Sequence, residues 1–308
     1  MPALLEQARA AETAGAATFW ASDHLFLREP FAMAAAALGS TARARVALMA
    51  VSPHVVHPVQ IAMGAATLDE LAPGRVILCL GTGAPRDLAD AGIEPRRGLR
   101  ALREALDITR VLLAGEMVNH DGEVFSVHGR RLASGRREVP IFLAASGPRT
   151  LELAGAAADG VLLSNASSVE FVRWALDHVD RGAKGRALVR AGLVYASVAE
   201  READAFDRYR RHLAITLRGR HHALNVQLGG GRLDQATLHD AVSREDWPRA
   251  EALITDDLVR RHTACGSALR VHERIAAYRR AGLDEIVLGG LSDAAETTRT
   301  LAVAAGSP

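Results

Sequence analysis

One stretch, residues 139–165, constrains the fold more than any other part of the chain. It opens with an apolar run at residues 139–145, whose length and lack of alternation are typical of a strand buried on both faces of a parallel sheet. A turn of Ser146, Gly147 and Pro148 follows, then apolar residues at helical spacing and a second apolar run at residues 160–163. The stretch therefore predicts a βαβ unit whose helix begins at the carboxyl end of the first strand.

The helix start at Ser146 and Gly147 has a chemical consequence. Unpaired N–H groups and the partial positive charge of the helix dipole make such a start an anion site. The same residues also suit an ordinary turn and helix start, and this stretch alone leaves both interpretations open.

Strands and helices alternate along most of the chain. Apolar runs predict seven strands near residues 18, 46, 75, 140, 160, 188 and 285, and residues 118–127 predict a hairpin. A long, mostly helical excursion covers about residues 200–262. This pattern predicts a single α/β domain over residues 1–308, a (β/α)8 TIM barrel with the helical insertion before its last strand. The eighth strand is missing from this chain: either the first strand has been lost, or the true start lies upstream.

Composition excludes several classes of partner. Lys and Arg number 37 and Asp and Glu 36, giving a net charge of +1, which does not favour nucleic acid or an acidic membrane. The two cysteines, Cys79 and Cys265, lack metal-ligand spacing and form no disulfide framework. Apolar runs fall short of the roughly 20 residues that a spanning helix needs, and the N-terminus has no secretory pattern. We expect a cytoplasmic protein with no metal, nucleic-acid or membrane partner.

Several segments together resemble a known family. They read AETAGAATFWASDH, HPVQIAMGAATLDELAPGRVILCLGTG, LREALDITRVLLAGEMVNHDGEVFSV and ACGSALRVHERIAAYRRAGLDEIVLGG, and residues 139–165 complete the set. In order and spacing they resemble the bacterial luciferase-like superfamily, in particular its coenzyme F420-dependent, methylenetetrahydromethanopterin reductase-like branch. The resemblance implies a (β/α)8 barrel, a homodimer, a small-molecule substrate, and a flavin or deazaflavin bound at the carboxyl ends of the strands.

The resemblance also implies which residues bind the cofactor. They follow successive strands: Asp23, Met49, Ala50, Thr82, Gly83, Ser146, Gly147 and Ser164. Met49 and Ala50 match a non-proline cis peptide under the ring, and Thr82 and Gly83 match contacts to the ring and ribityl chain. Ser146 and Gly147 match the loop that holds the cofactor phosphate, and Ser164 lies near the same tail.

His24 and Asp23 are the candidate catalytic residues. Imidazole titrates near neutral pH, and barrel-strand ends are where catalytic groups lie, so His24 is the candidate for proton transfer. The alternative is that His24 only hydrogen-bonds the ring or a loop. Asp23 would orient the cofactor or His24. Two departures from the family, Ala84 in place of a catalytic glutamate and Arg28 in place of a tryptophan, argue against sugar or alcohol chemistry.

Three functions remain open. The first is an F420-dependent oxidoreductase that transfers hydride between reduced deazaflavin and a small organic substrate. The second is an FMN-dependent monooxygenase, and the third is a non-catalytic cofactor-binding homologue.

A few basic and histidine residues have two possible roles each. His54 and His57 could belong to the site or serve structural roles, because His57 precedes a proline that suits a helix start. The basic residues around 208–222 read as a solvated helix face, or as a contact for an anionic substrate or the polyglutamate tail of F420.

Overall fold

Helices and strands alternate along the chain, and the computed structural model describes residues 1–163 and 165–306. The helices are α1 Pro2–Thr13, α2 Pro30–Ser40, α3 Pro58–Leu71, α4 Pro85–Asp90, α5 Gly98–Leu113, α6 Pro148–Ala157, α7 Val169–Ala183, α8 Glu202–Leu217, α9 Ala223–Leu228, α10 Gln235–Ser243, α11 Trp247–Ala252, α12 Asp256–His262, α13 Ala268–Arg280 and α14 Ala294–Ala305. The strands are β1 Thr18–Ser22, β2 Arg45–Val51, β3 Val76–Leu80, β4 Val118–Asp121, β5 Ser126–Arg130, β6 Ile141–Ala145, β7 Gly160–Leu163, β8 Val189–Val198, β9 Ala264–Gly266 and β10 Glu285–Gly289.

The main sheet is parallel, and its strands neighbour one another in the order β1-β2-β3-β6-β7-β8-β10. These are the seven strands that the apolar runs predict, so that prediction is confirmed. The predicted hairpin is confirmed as the antiparallel pair β4 and β5. Strand β9, which pairs with the far end of β8, was not predicted because three residues carry too little pattern.

Both faces of the sheet are packed, which explains why the strands read as unbroken apolar runs. Side chains such as Ile77 and Phe142 form the core inside the curled sheet. Side chains such as Leu48, Leu78 and Leu102 form a second core between the sheet and the surrounding helices. Every residue of β3 is buried as a result.

The sheet is open between its first and last strands. In the described residues β1 and β10 share no ladder of backbone hydrogen bonds, and side chains cross the opening instead. Trp20 Nε1 donates to Oε1 of Glu285 at 2.8 Å, and the Arg45 guanidinium lies 3.4 Å from Oε2 of the same carboxylate. On the outside, α1 packs against α14. The expectation of a luciferase-like barrel that lacks one strand is confirmed by this open, curled parallel sheet.

The helical excursion between β8 and β10 is also confirmed. Helices α8 to α12 enclose a core of their own that includes Phe206, Leu213 and Leu258. The hydroxyl of Tyr209 on α8 ties this core to the barrel, because it lies 3.0 Å from the carbonyl of Ala196 and 2.8 Å from that of Gly290. Within residues 1–163 and 165–306, no helix has both the length and the apolar character that crossing a membrane requires.

The Glu285 bridge generates a stability prediction. We expect Glu285→Ala to lower the free energy of unfolding by about 1–2 kcal/mol, because it leaves the half-buried Trp20 indole N–H without its acceptor. Equilibrium denaturation measures the change. The matched control is Glu273→Ala on the exposed side of α13, which should change stability by less than about 0.5 kcal/mol. Equal effects of the two substitutions would contradict the bridging role.

Candidate active site

Parallel pairing brings the carboxyl ends of the strands to one edge of the sheet, and the candidate residues lie there. Asp23 and His24 follow β1, whose last residue, Ser22, pairs with Met49. Residues 81–83 follow β3, and Ser146 and Gly147 follow β6. The structure therefore places the sequence-predicted residues that it describes along a single edge. Ser164, the remaining candidate, lies outside the described residues.

Small residues form the surface at the centre of this edge. A Cβ atom added to Gly81 would lie 2.9 Å from Cβ of Ala50 and 3.5 Å from Cβ of Ala144. Strands β2, β3 and β6 therefore approach closely at this level, and only a residue without a side chain fits at position 81. The peptide bond between Met49 and Ala50 is cis, as the resemblance implied. A floor of such short side chains can accommodate a flat ring system.

His24 is held by a carboxylate that sequence reasoning missed. Its Nδ1 lies 2.9 Å from Oδ2 of Asp87, in α4, and its side chain is about half exposed (52%). Pro85 and an acidic residue in the first turn are typical of a helix start, so the sequence could have shown α4. It could not have shown the contact, because His24 and Asp87 are 63 residues apart.

Asp23 carries a carboxyl group that titrates closer to neutral pH than usual. Partial burial, the largest cause, raises the pKa of Asp23 to about 6; His24 opposes this rise, while Glu29 and Asp87 add to it. The backbone N–H of Asp23 donates to the carbonyl of Met49, which fixes the start of this loop against β2. A carboxyl group that changes protonation near neutral pH and an imidazole therefore follow the same strand.

The start of α6 offers free hydrogen-bond donors. Gly147 is the N-cap, and neither it nor a neighbour supplies a capping side chain. Thr150 and Leu151 donate to the Gly147 carbonyl, while the amides of Gly147 and Arg149 have no acceptor within the described part of the chain. A Cβ added to Gly147 would meet nothing within 4 Å, so the space beside this residue is open. This arrangement can bind a phosphate group.

His54 also borders the edge, whereas His57 has a structural role. A Cβ added to Gly98 would lie 3.6 Å from Thr82 and 4.0 Å from Nε2 of His54, so these two side chains are neighbours. Nε2 of His54 is buried with no partner among the described residues, and burial lowers the pKa of this histidine. His57 caps α3, its Nδ1 accepting from the amide of Val59 at 3.2 Å.

Three arginines of the basic stretch in the insertion are neutralised by acidic partners. Arg208 pairs with Glu296, Arg210 with Asp207 and Asp256, and Arg211 with Glu251. His222, which the sequence placed on a solvated face, is buried, and burial lowers its pKa to about 3. The interpretation of these residues as one solvated face is therefore wrong at His222.

The chain matches the family model described as luciferase-like monooxygenase over residues 1–285 of its 308. The chain belongs to this family. Among its relatives is the 5,10-methylenetetrahydromethanopterin reductase of Archaeoglobus fulgidus, 28% identical over 295 residues that cover 91% of this chain and 86% of the relative. The F420-dependent glucose-6-phosphate dehydrogenase of Microbacterium testaceum is 38% identical over 119 residues, 37% of this chain and 35% of the relative.

Solved structures of similar fold agree with the family assignment. The coenzyme F420-dependent tetrahydromethanopterin reductase from Methanopyrus kandleri superposes with a TM-score of 0.88 at 22% identity, covering 97% of this chain and 93% of that one. An F420-dependent secondary alcohol dehydrogenase in complex with an F420–acetone adduct gives 0.78 at 21% identity, with coverages of 92% and 88%. At these identities the likeness establishes the luciferase-like fold.

The raised pKa of Asp23 predicts how stability depends on pH. Its folded-state pKa lies above the ordinary value of 3.8, so ionisation costs stability as pH rises from about 4 to about 6. Asp23→Asn removes this cost, and we expect it to raise the free energy of unfolding at about pH 8 by about 1 kcal/mol, a figure reduced for the solvent screening of a partly exposed group.

Denaturant titrations across this pH range provide the measurement. The gain should disappear below about pH 4, where the carboxyl group is neutral in both states. Asp177→Asn on the exposed side of α7 is the control and should show no such dependence. A variant that is no more stable than the wild type at about pH 8 would show that Asp23 is not desolvated.

Proposed function

We propose that this protein is a coenzyme F420-dependent oxidoreductase that transfers hydride between the reduced deazaflavin and a small organic substrate. The observation that carries the proposal is the edge itself: a floor of small residues lies between the His24–Asp87 pair on one side and the open start of α6 on the other. The names of the relatives, which include F420-dependent reductases and dehydrogenases, support the same cofactor.

The residues at this edge fit a deazaflavin nucleotide. Ala50, beside Gly81, would lie under the ring, with Met49 in the same segment. Thr82 and Gly83 would contact the ring and the ribityl chain. The amides at Gly147, together with Ser146, would hold the phosphate, whose charge suits the helix start. When bound, F420 supplies the carbon that carries the hydride.

The protein's own contribution is positioning, exclusion of water and proton handling. Because Nδ1 of His24 is engaged by Asp87, Nε2 is the ring atom that remains to exchange a proton with substrate. Asp23, with its pKa of about 6, would add a negative charge beside that imidazole when it is ionised. Ala84 replaces the glutamate found in the sugar and alcohol dehydrogenases, and an acid three residues later, Asp87, reaches the histidine instead.

A titration of the purified protein with oxidised F420 and, separately, with FMN tests the cofactor. We expect F420 to bind at least about tenfold more tightly, a difference of about 1.4 kcal/mol in binding free energy. Fluorescence of the cofactor and quenching of the protein tryptophans provide the readout. Preference for FMN would replace the proposal with oxygen chemistry, and binding of neither cofactor would overturn it.

A second test concerns His24 and its positioning residue Asp87. With a substrate found by screening unsaturated and carbonyl compounds against reduced F420, His24→Gln should lower kcat by about 10²–10⁴-fold, the usual contribution of a general acid or base. The dissociation constant for F420 should change little, because the imidazole acts on the substrate. Loss of binding in place of loss of kcat would contradict this role.

Asp87→Asn should lower kcat less than His24→Gln and change the pH profile of kcat, while Asp87→Glu should restore much of the rate. Asp90→Asn is the matched control, since Asp90 lies on the same helix and pairs only with Arg86 among the described residues. An unchanged pH profile in Asp87→Asn would show that the contact with His24 has no role in the reaction.

A further inference from the structure

A groove of about 670 Å³ lies on the outer surface beside the start of α6. Helices α5, α6 and α7 form its walls. The charged residues that line it are Arg100, Arg103, Arg149, Glu152, Arg181 and Lys184. Five cations and one carboxylate thus face a single groove in a chain whose net charge is only +1, so the positive charge is concentrated locally.

Three of the five cations are not neutralised by the protein, whereas Arg100 pairs with Glu123 at 2.8 Å. Arg103, Arg149 and Lys184 are exposed and have no ion-pair or side-chain hydrogen-bond partner in the described part of the chain. Arg181 lies 4.0 Å from Glu152, a carboxylate that also contacts His178 at 3.0 Å. Arg208, Arg210 and Arg211 of the insertion differ, because each has an acidic partner.

Arg149 connects the groove to the candidate phosphate site. Arg149 lines the groove, is the second residue of α6 and follows two positions after Gly147, whose amide has no acceptor within the described residues. Arg100 and Arg103 lie three positions apart on α5, so their side chains share one face of that helix. A ligand held by its phosphate at the start of α6 can therefore extend directly into the groove.

We propose that this groove binds the oligoglutamate tail of coenzyme F420, an inference that rests on the proposed function. The tail follows the phosphate in the cofactor and carries at least one carboxylate for each residue, which matches the unpaired cations Arg103, Arg149 and Lys184. The residues lining the groove include no aromatic side chain, so it lacks the stacking surfaces with which proteins bind single-stranded nucleic acid.

The test compares three probes: F420 with its tail, F420 trimmed of its glutamates, and the deazaflavin riboside, which lacks both phosphate and tail. The double variant Arg103→Gln/Lys184→Gln should bind tailed F420 roughly fivefold more weakly at low ionic strength, the loss expected for two exposed charges. It should bind the trimmed cofactor and the riboside as the wild type does. Added salt should weaken the binding of tailed F420 by the wild type more than by the variant.

The control is Arg131→Gln/Arg279→Gln, which removes two exposed arginines outside the groove and should leave all three affinities unchanged. An equal loss for all three probes in the groove variant would overturn the inference, because the riboside has no tail. Unchanged affinity for tailed F420 would also overturn it, while leaving the proposed function intact. If the wild type binds none of the probes, the proposed function fails and the inference fails with it.

Discussion

Parallel pairing of strands that are buried on both faces is the constraint on which the rest of this structure depends. It requires a helix to return the chain after each strand, and it directs every strand end that could carry chemistry to the same edge. Asp23, Ala50, Gly81 and Gly147 lie far apart in sequence, yet this single rule places them at one edge. Gly81 shows how close the approach is, because its missing side chain leaves room for Ala50.

The sequence predicts the fold well because buried strands and capped helices leave local patterns. The seven barrel strands and the hairpin appear where the patterns place them. Strand β9 is not predicted because three residues are too few to show the alternation of apolar and polar residues that identifies a strand. The candidate site is predictable only in part: the resemblance implies the edge residues, but Asp87 reaches His24 across 63 positions, and such contacts follow from packing.

The position of charged residues in the sequence also fails to predict where the charged surfaces lie. The arginines around residues 208–211 are neighbours in sequence and look like a binding surface, yet each meets an acidic partner in the fold. The cations of the groove come from three separate helices and form no cluster in the sequence. Counting charges along a chain therefore identifies an electrostatic surface only when the elements that carry them are already placed in space.

The open edge of the sheet has a consequence for how firmly each part of the site is held. Strand β1 is hydrogen-bonded on one side only, whereas β6 lies between β3 and β7. Local opening costs less free energy where fewer backbone bonds must break. The loop that carries Asp23 and His24 is therefore the more adaptable end of the site, and the start of α6 is the more rigid one. Under the proposed function, the phosphate would be held at the more rigid end of the site and the substrate at the more adaptable one.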